Sequence, residues 1–84
     1  MVPIRQLLWD QETIAKLGSK HGVSVTEVED ACYWDNGATA RWDVDPVRGR
    51  RLLVKGRTES GRRLRIILRP TDAPGQFDVL SAYE

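Results

Sequence analysis

Residues 51–69 read Arg51-Leu52-Leu53-Val54-Lys55-Gly56-Arg57-Thr58, then Glu59-Ser60-Gly61, then Arg62-Arg63-Leu64-Arg65-Ile66-Ile67-Leu68-Arg69. Two aliphatic runs around a three-residue loop that ends in glycine form a β-hairpin pattern. Successive strand residues face opposite sides of a sheet. In the first run Leu52, Val54 and Gly56 therefore share one face, and Arg51, Leu53, Lys55 and Arg57 share the other. In the second run Leu64, Ile66 and Leu68 oppose Arg63, Arg65, Ile67 and Arg69. The apolar sets pair across the hairpin and lie under whatever covers the sheet. Lys55, Arg57, Arg63, Arg65 and Arg69 line the face left open.

Upstream of the hairpin the pattern supplies the cover. Ile4-Arg5-Gln6-Leu7-Leu8-Trp9 reads as a first strand, with Pro3 limiting its start. Asp10 stands at an N-cap position and Glu12 in the first turn, where a negative charge suits the helix dipole. Ile14, Leu17 and His21 follow at helical spacing, so a first helix is expected over Gln11–Lys20, stopped by Gly22. Ser24-Val25-Thr26-Glu27 is a capping box opening a second helix, Val25–Tyr33, with Val25, Val28 and Cys32 on its buried stripe. Glu27, Glu29 and Asp30 make its other face acidic. Asn36-Gly37 signals a turn, and Ala38–Val44 reads as a short strand or an extended loop. A final strand, Gln76–Tyr83, follows a Pro70–Gly75 turn.

The resulting order, β-α-α-β-β-β, predicts a small single α+β domain over residues 1–84, with two helices on one face of an antiparallel sheet. Trp9 is expected in the core, together with at least one of Trp34 and Trp42. An exposed tryptophan would suit a protein interface.

The chain has 84 residues, 40% hydrophobic and 30% charged. A chain of this size builds one thin core, and its composition is not that of a disordered segment. No apolar run approaches the ~20 residues of a membrane span, and the N-terminus lacks a signal-peptide stretch. A single cysteine, Cys32, excludes an internal disulfide framework and is read as a buried small apolar group. The expected compartment is the cytoplasm, with no membrane partner.

The net charge of +1 conceals a division along the chain. Residues 1–45 carry four basic and eight acidic groups, giving −4. Residues 46–69 carry nine basic groups against Glu59, giving +8, and residues 70–84 carry three acids, giving −3. A field of this kind selects anionic partners. Arginine suits forked contacts with phosphate, so RNA or DNA leads among ligands for the open face. Arg51, on the same face, joins Lys55, Arg63 and Arg69 as a candidate RNA contact. With 7% aromatic residues and no RNP-type sequence, a single-strand stacking platform is not expected.

Chemistry candidates are few. No cluster has metal-ligand spacing, and no glycine loop cradles a phosphate, so neither metal nor cofactor is expected. Cleavage of RNA by its own 2′-hydroxyl needs only a base, cations at the phosphorane and an acid for the 5′ oxygen. Arg57 and Arg65 are the candidate stabilising cations, and His21 or Tyr83 the candidate proton carrier.

At this level the chain resembles a known family. Trp9-Asp10, then Lys20-His21-Gly22-Val23 leading into Glu27-Val28-Glu29-Asp30-Ala31, is similar to the first half of the BrnT-type toxins. Asp45-Pro46, Gly49-Arg50, Gly56-Arg57-Thr58-Glu59-Ser60-Gly61-Arg62, the strand through Ile67 and Val79-Leu80-Ser81-Ala82 are similar to the second half, in order and spacing. The resemblance implies a RelE-like fold and a metal-independent ribonuclease toxin that arrests growth and is held inactive by a cognate antitoxin. His21, Arg57 and Ser81 occupy matching motif positions, while Tyr83 stands where the family usually has a basic residue. A non-catalytic module that binds nucleic acid or protein through the same face is the alternative reading.

Overall fold

The hairpin forms as its alternation requires, and the rest of the chain is arranged around it. The computed structural model describes residues 4–32 and 37–84. Pro3, Tyr33, Trp34 and Asn36, which entered the sequence reading, lie outside the described residues. Five strands make one sheet: β1 (Gln6–Leu8), β2 (Thr39–Asp45), β3 (Gly49–Arg57), β4 (Arg63–Pro70) and β5 (Gln76–Tyr83). Their spatial order is β1-β5-β4-β3-β2, with β1 parallel to β5 and every other pair antiparallel. The expected α+β architecture is present. The segment left open as strand or loop is β2, the fifth strand.

Between β1 and β2 lie α1 (Gln11–Lys16), a π-helical turn (Leu17–His21) that continues it, and α2 (Val25–Ala31). Asp10 caps α1 by accepting from the Thr13 amide at 2.7 Å. Gly22 ends the π turn at φ +61°, a left-handed conformation that glycine adopts cheaply. The capping box forms in full: the Glu27 amide donates to Ser24 Oγ at 3.2 Å, and the Ser24 amide donates to Glu27 Oε1 at 3.1 Å.

One core joins the layers. Leu17, Val23, Val28, Ala31 and Cys32 from the helical segment meet Leu52, Val54, Leu64, Ile66, Leu68, Phe77, Val79 and Ala82 from the sheet. Trp9 packs against this core from its margin. Gly56 lets the layers approach closely, because a Cβ there would lie 1.8 Å from the Ala31 carbonyl oxygen. Only glycine permits the end of α2 to rest on β3 at this point.

Trp42 does not enter the core fully. It is 39% exposed, 6.2 Å from the Phe77 ring, and the Arg50 guanidinium stacks 4.1 Å from its centroid. Ile14, at helical spacing from Leu17, is 40% exposed, since α1 is short and Leu17 in the following turn makes the core contact. Among the described residues no helix is long and apolar enough to cross a membrane.

Candidate nucleic-acid interface

Strand pairing fixes which side chains meet on the open face. Lys55 lies opposite Arg65, and Arg57 opposite Arg63. Thr39 extends the first row on β2, and Tyr83 extends it on β5, giving Thr39-Lys55-Arg65-Tyr83 across four strands. The next row is Arg41-Leu53-Ile67-Ser81, which is largely apolar at its centre. Beyond it Asp43 lies opposite Arg51, and Asp78 opposite Arg69.

Tyr83 reaches this face through an irregularity. Ile67 pairs with Ser81 but Leu68 pairs with Val79, so Leu80 has no register partner. Strict alternation from Phe77 and Val79 would send Ser81 and Tyr83 into the helix layer. The bulge reverses the phase, burying Ala82 and turning Tyr83 to the side of Arg65. Bulges re-aim side chains in this way. Beta1 ends opposite Asp78, which leaves this end of β5 to the helical turn. There the His21 ring lies 6.2 Å from the Tyr83 ring, tilted by 44°.

The basic residues of the hairpin, 51–69, fall into three groups. Arg51 donates to Asp43 Oδ2 at 2.7 Å and lies 3.9 Å from Asp45, and the Asp43 hydrogen bond holds its guanidinium above the ordinary value. Arg69 donates to Asp78 Oδ2 at 3.1 Å. The open face is therefore not purely cationic. Asp43 and Asp78 share that face, and they neutralise two of the candidate RNA contacts.

Lys55, Arg57, Arg63 and Arg65 behave differently. All four are exposed, and among the described residues none forms an ion pair or a side-chain hydrogen bond. They line an open groove of about 670 Å³ together with Gly37, Thr39, Gly56, Arg62, Leu64 and Glu84.

Arg62 forms the third group, and the sequence reading passed over it. Its guanidinium donates to the Gly22 carbonyl at 2.7 Å, the His21 carbonyl at 3.1 Å, Glu27 Oε2 at 2.9 Å and the Glu84 carboxylate. One side chain thus fastens the hairpin to the helix junction, to α2 and to the end of β5. Hydrogen bonds from Arg62 and the Ser24 amide hold the Glu27 carboxyl below its usual value. A signal was present, because Arg62 has the parity of Leu64, Ile66 and Leu68. A charged residue on the core side needs partners.

The hairpin loop that sets these positions closes through Thr58 and Arg62. The Thr58 amide donates to the Arg62 carbonyl at 2.8 Å, and Gly61 turns the chain at φ +90°. Among the described residues no group of three or more His, Cys, Asp and Glu side chains converges as metal ligands would. No protein-family model and no curated protein matches the chain.

Proposed function

We propose that the end of the open face bearing Lys55, Arg57, Arg63 and Arg65 binds the RNA backbone and cuts it. The single observation that carries this reading is the register. Like charges directly opposite one another on adjacent strands are destabilising. Here two such pairs, Lys55·Arg65 and Arg57·Arg63, sit side by side. The same sheet puts opposite charges together four residues away along each strand, at Asp43·Arg51 and Asp78·Arg69. An anionic ligand at the first set relieves the repulsion and gives it a purpose.

Phosphodiester cleavage by the neighbouring 2′-hydroxyl fits the groups at hand. A base removes the 2′ proton, the 2′ oxygen bonds to phosphorus, and the bond to the 5′ oxygen breaks as an acid protonates it. The products are a 2′,3′-cyclic phosphate and a 5′-hydroxyl. Arg57 and Arg65 stabilise the charge that builds on the phosphorane, a role suited to fixed cations outside bulk water. Tyr83, in register with Arg65, and His21 beside it are the proton carriers. No step calls for a metal.

On this reading the protein is the toxin of a toxin–antitoxin pair acting in the cytoplasm, with RNA as substrate and an antitoxin as its inhibitory partner. The motif order shared with BrnT-type toxins supports it. The test is induced expression in a bacterial culture, following growth and RNA integrity together. Growth arrest with RNA degradation is expected, and both should disappear in Arg57→Ala. Arrest by Arg57→Ala at the wild-type level contradicts the assignment. RNA that is bound but never cut leaves the same face as a binding module.

A further inference from the structure

The sheet has two edges, and they are unlike. On one side β1 is a three-residue strand. On the other, β2 runs seven residues, Thr39-Ala40-Arg41-Trp42-Asp43-Val44-Asp45, and pairs with β3 at every one of them without a bulge. Among the described residues no strand pairs with its outer side. Edge strands are ordinarily blunted by proline, charged side chains, a bulge or brevity, since their outward amides and carbonyls otherwise recruit another strand. Beta2 is neither short nor bulged and holds no proline, and its charges, Arg41, Asp43 and Asp45, are of both signs, so they do not repel a second copy set antiparallel. It also keeps Val44 71% exposed and Trp42 39% exposed.

The sequence of this edge is complementary to itself. In an antiparallel pairing of two copies about Trp42, Trp42 meets its counterpart, and Arg41 of each copy meets Asp43 of the other. Ala40 meets Val44, and Thr39 meets Asp45. Residues opposite one another share a face, so the Arg41·Asp43 contacts fall on the open face and the Ala40·Val44 contacts on the helix side. Arg41 is exposed and forms no ion pair among the described residues, whereas Asp43 holds Arg51 with one oxygen and stays 35% exposed. The pairing supplies Arg41 with a partner, covers Val44, and repeats itself by a twofold axis, as an isologous interface must.

We propose that β2 is a homodimerisation edge, across which a second copy of this chain extends the five-stranded sheet into one of ten strands. The axis stands perpendicular to the sheet, so both open faces lie on the same side. The two sets of unpaired cations then form one surface for a single extended polyanion. The inference rests on the edge alone and holds whatever that surface binds.

Sedimentation equilibrium from low micromolar to millimolar concentration tests it, with far-UV circular dichroism as the folding control. The wild-type protein is expected to dimerise. Val44→Lys puts a charge at an already exposed position and should weaken the dimer about tenfold or more, without loss of fold. Arg41→Glu sets like charges opposite one another and should weaken it comparably. A wild-type chain that remains monomeric to millimolar concentration overturns the proposal. So does a dimer that survives either substitution, because its interface then lies elsewhere.

Discussion

The two ends of the open face are built from the same residue type and differ in what stands opposite it. At one end Arg51 faces Asp43 and Arg69 faces Asp78, at 2.7 Å and 3.1 Å. At the other, Arg57 faces Arg63 and Lys55 faces Arg65. In both cases the two residues stand directly opposite one another on adjacent strands, so direct opposition does not distinguish the ends. The partners do. The first end joins opposite charges across the strands, whereas the second sets like charges against one another, with no ion pair among the described residues. Counting arginines marks both ends alike, and only the register separates them.

The comparison breaks most sharply on catalysis. Arg57→Ala or Arg65→Ala should slow RNA cleavage by about 10²–10³, the usual consequence of removing one group that stabilises transition-state charge. Arg69→Ala should leave the cleavage rate near wild type. A gel-based single-turnover assay reads both, and cleavage should persist in EDTA. If Arg69→Ala is as slow as Arg57→Ala, the two ends are not functionally distinct.

A second substitution trades one end's character for the other's. Arg63→Glu converts a like-charge pair with Arg57 into an opposite-charge pair in the same register. Thermal unfolding should show a gain of roughly 0.2–1 kcal/mol, while affinity for RNA falls. A variant that is both less stable and still tightly bound would show that the cluster is not repulsive.

Much of this was legible in the hairpin. Alternation in Leu52-Leu53-Val54-Lys55 and Leu64-Arg65-Ile66-Ile67 was enough to put five cations on one face, because a period of two leaves a residue no other choice. Asp10, Gly22 and the Ser24–Glu27 box were legible because caps are local chemistry. Three features were not. Beta2 gave a weak signal, since Thr39-Ala40-Arg41 has little apolar alternation and its pairing with β3 is decided by the tight Asp45–Gly49 turn. There Asp45 Oδ1 accepts from the Val47 and Arg48 amides at 2.8 and 2.9 Å. The bulge at Leu80 could not be read from Val79-Leu80-Ser81-Ala82, because either phase buries an apolar residue. Yet it decides that Tyr83 joins Arg65. The acids opposite Arg51 and Arg69 lie eight and nine residues away along the chain, so they become neighbours only when the register is known.

The Arg62 contact gives the comparison a pH dependence. Glu27 has its carboxyl held below the ordinary 4.5 by Arg62 and the Ser24 amide. A carboxyl depressed on folding contributes stability above its unfolded value and loses it as pH falls through the folded one. The melting temperature should therefore drop between about pH 5 and about pH 3, and drop less steeply in Glu27→Gln. Asp10 and Asp45 are lowered as well, by backbone amides, so the slope should diminish rather than vanish. An unchanged slope in Glu27→Gln would mean that the Arg62 contact contributes nothing to the fold. The smallest effect expected is at Cys32. Burial, with Glu29 nearby, pushes its thiol up to about 12, so the native protein should resist thiol reagents near pH 8 and react only when unfolded.

The most direct test of the central claim compares two double variants that remove the same charge. Arg57→Ala/Arg65→Ala and Arg51→Ala/Arg69→Ala each take away two arginines from one face of one sheet. RNA binding should be measured for both across a salt series, since each lost phosphate contact flattens the dependence on salt. The account predicts that the first variant loses affinity and salt slope, and that the second keeps both while melting at a lower temperature. Equal loss of RNA affinity in the two variants would contradict it, for binding would then follow total charge and not the unpaired end of the sheet.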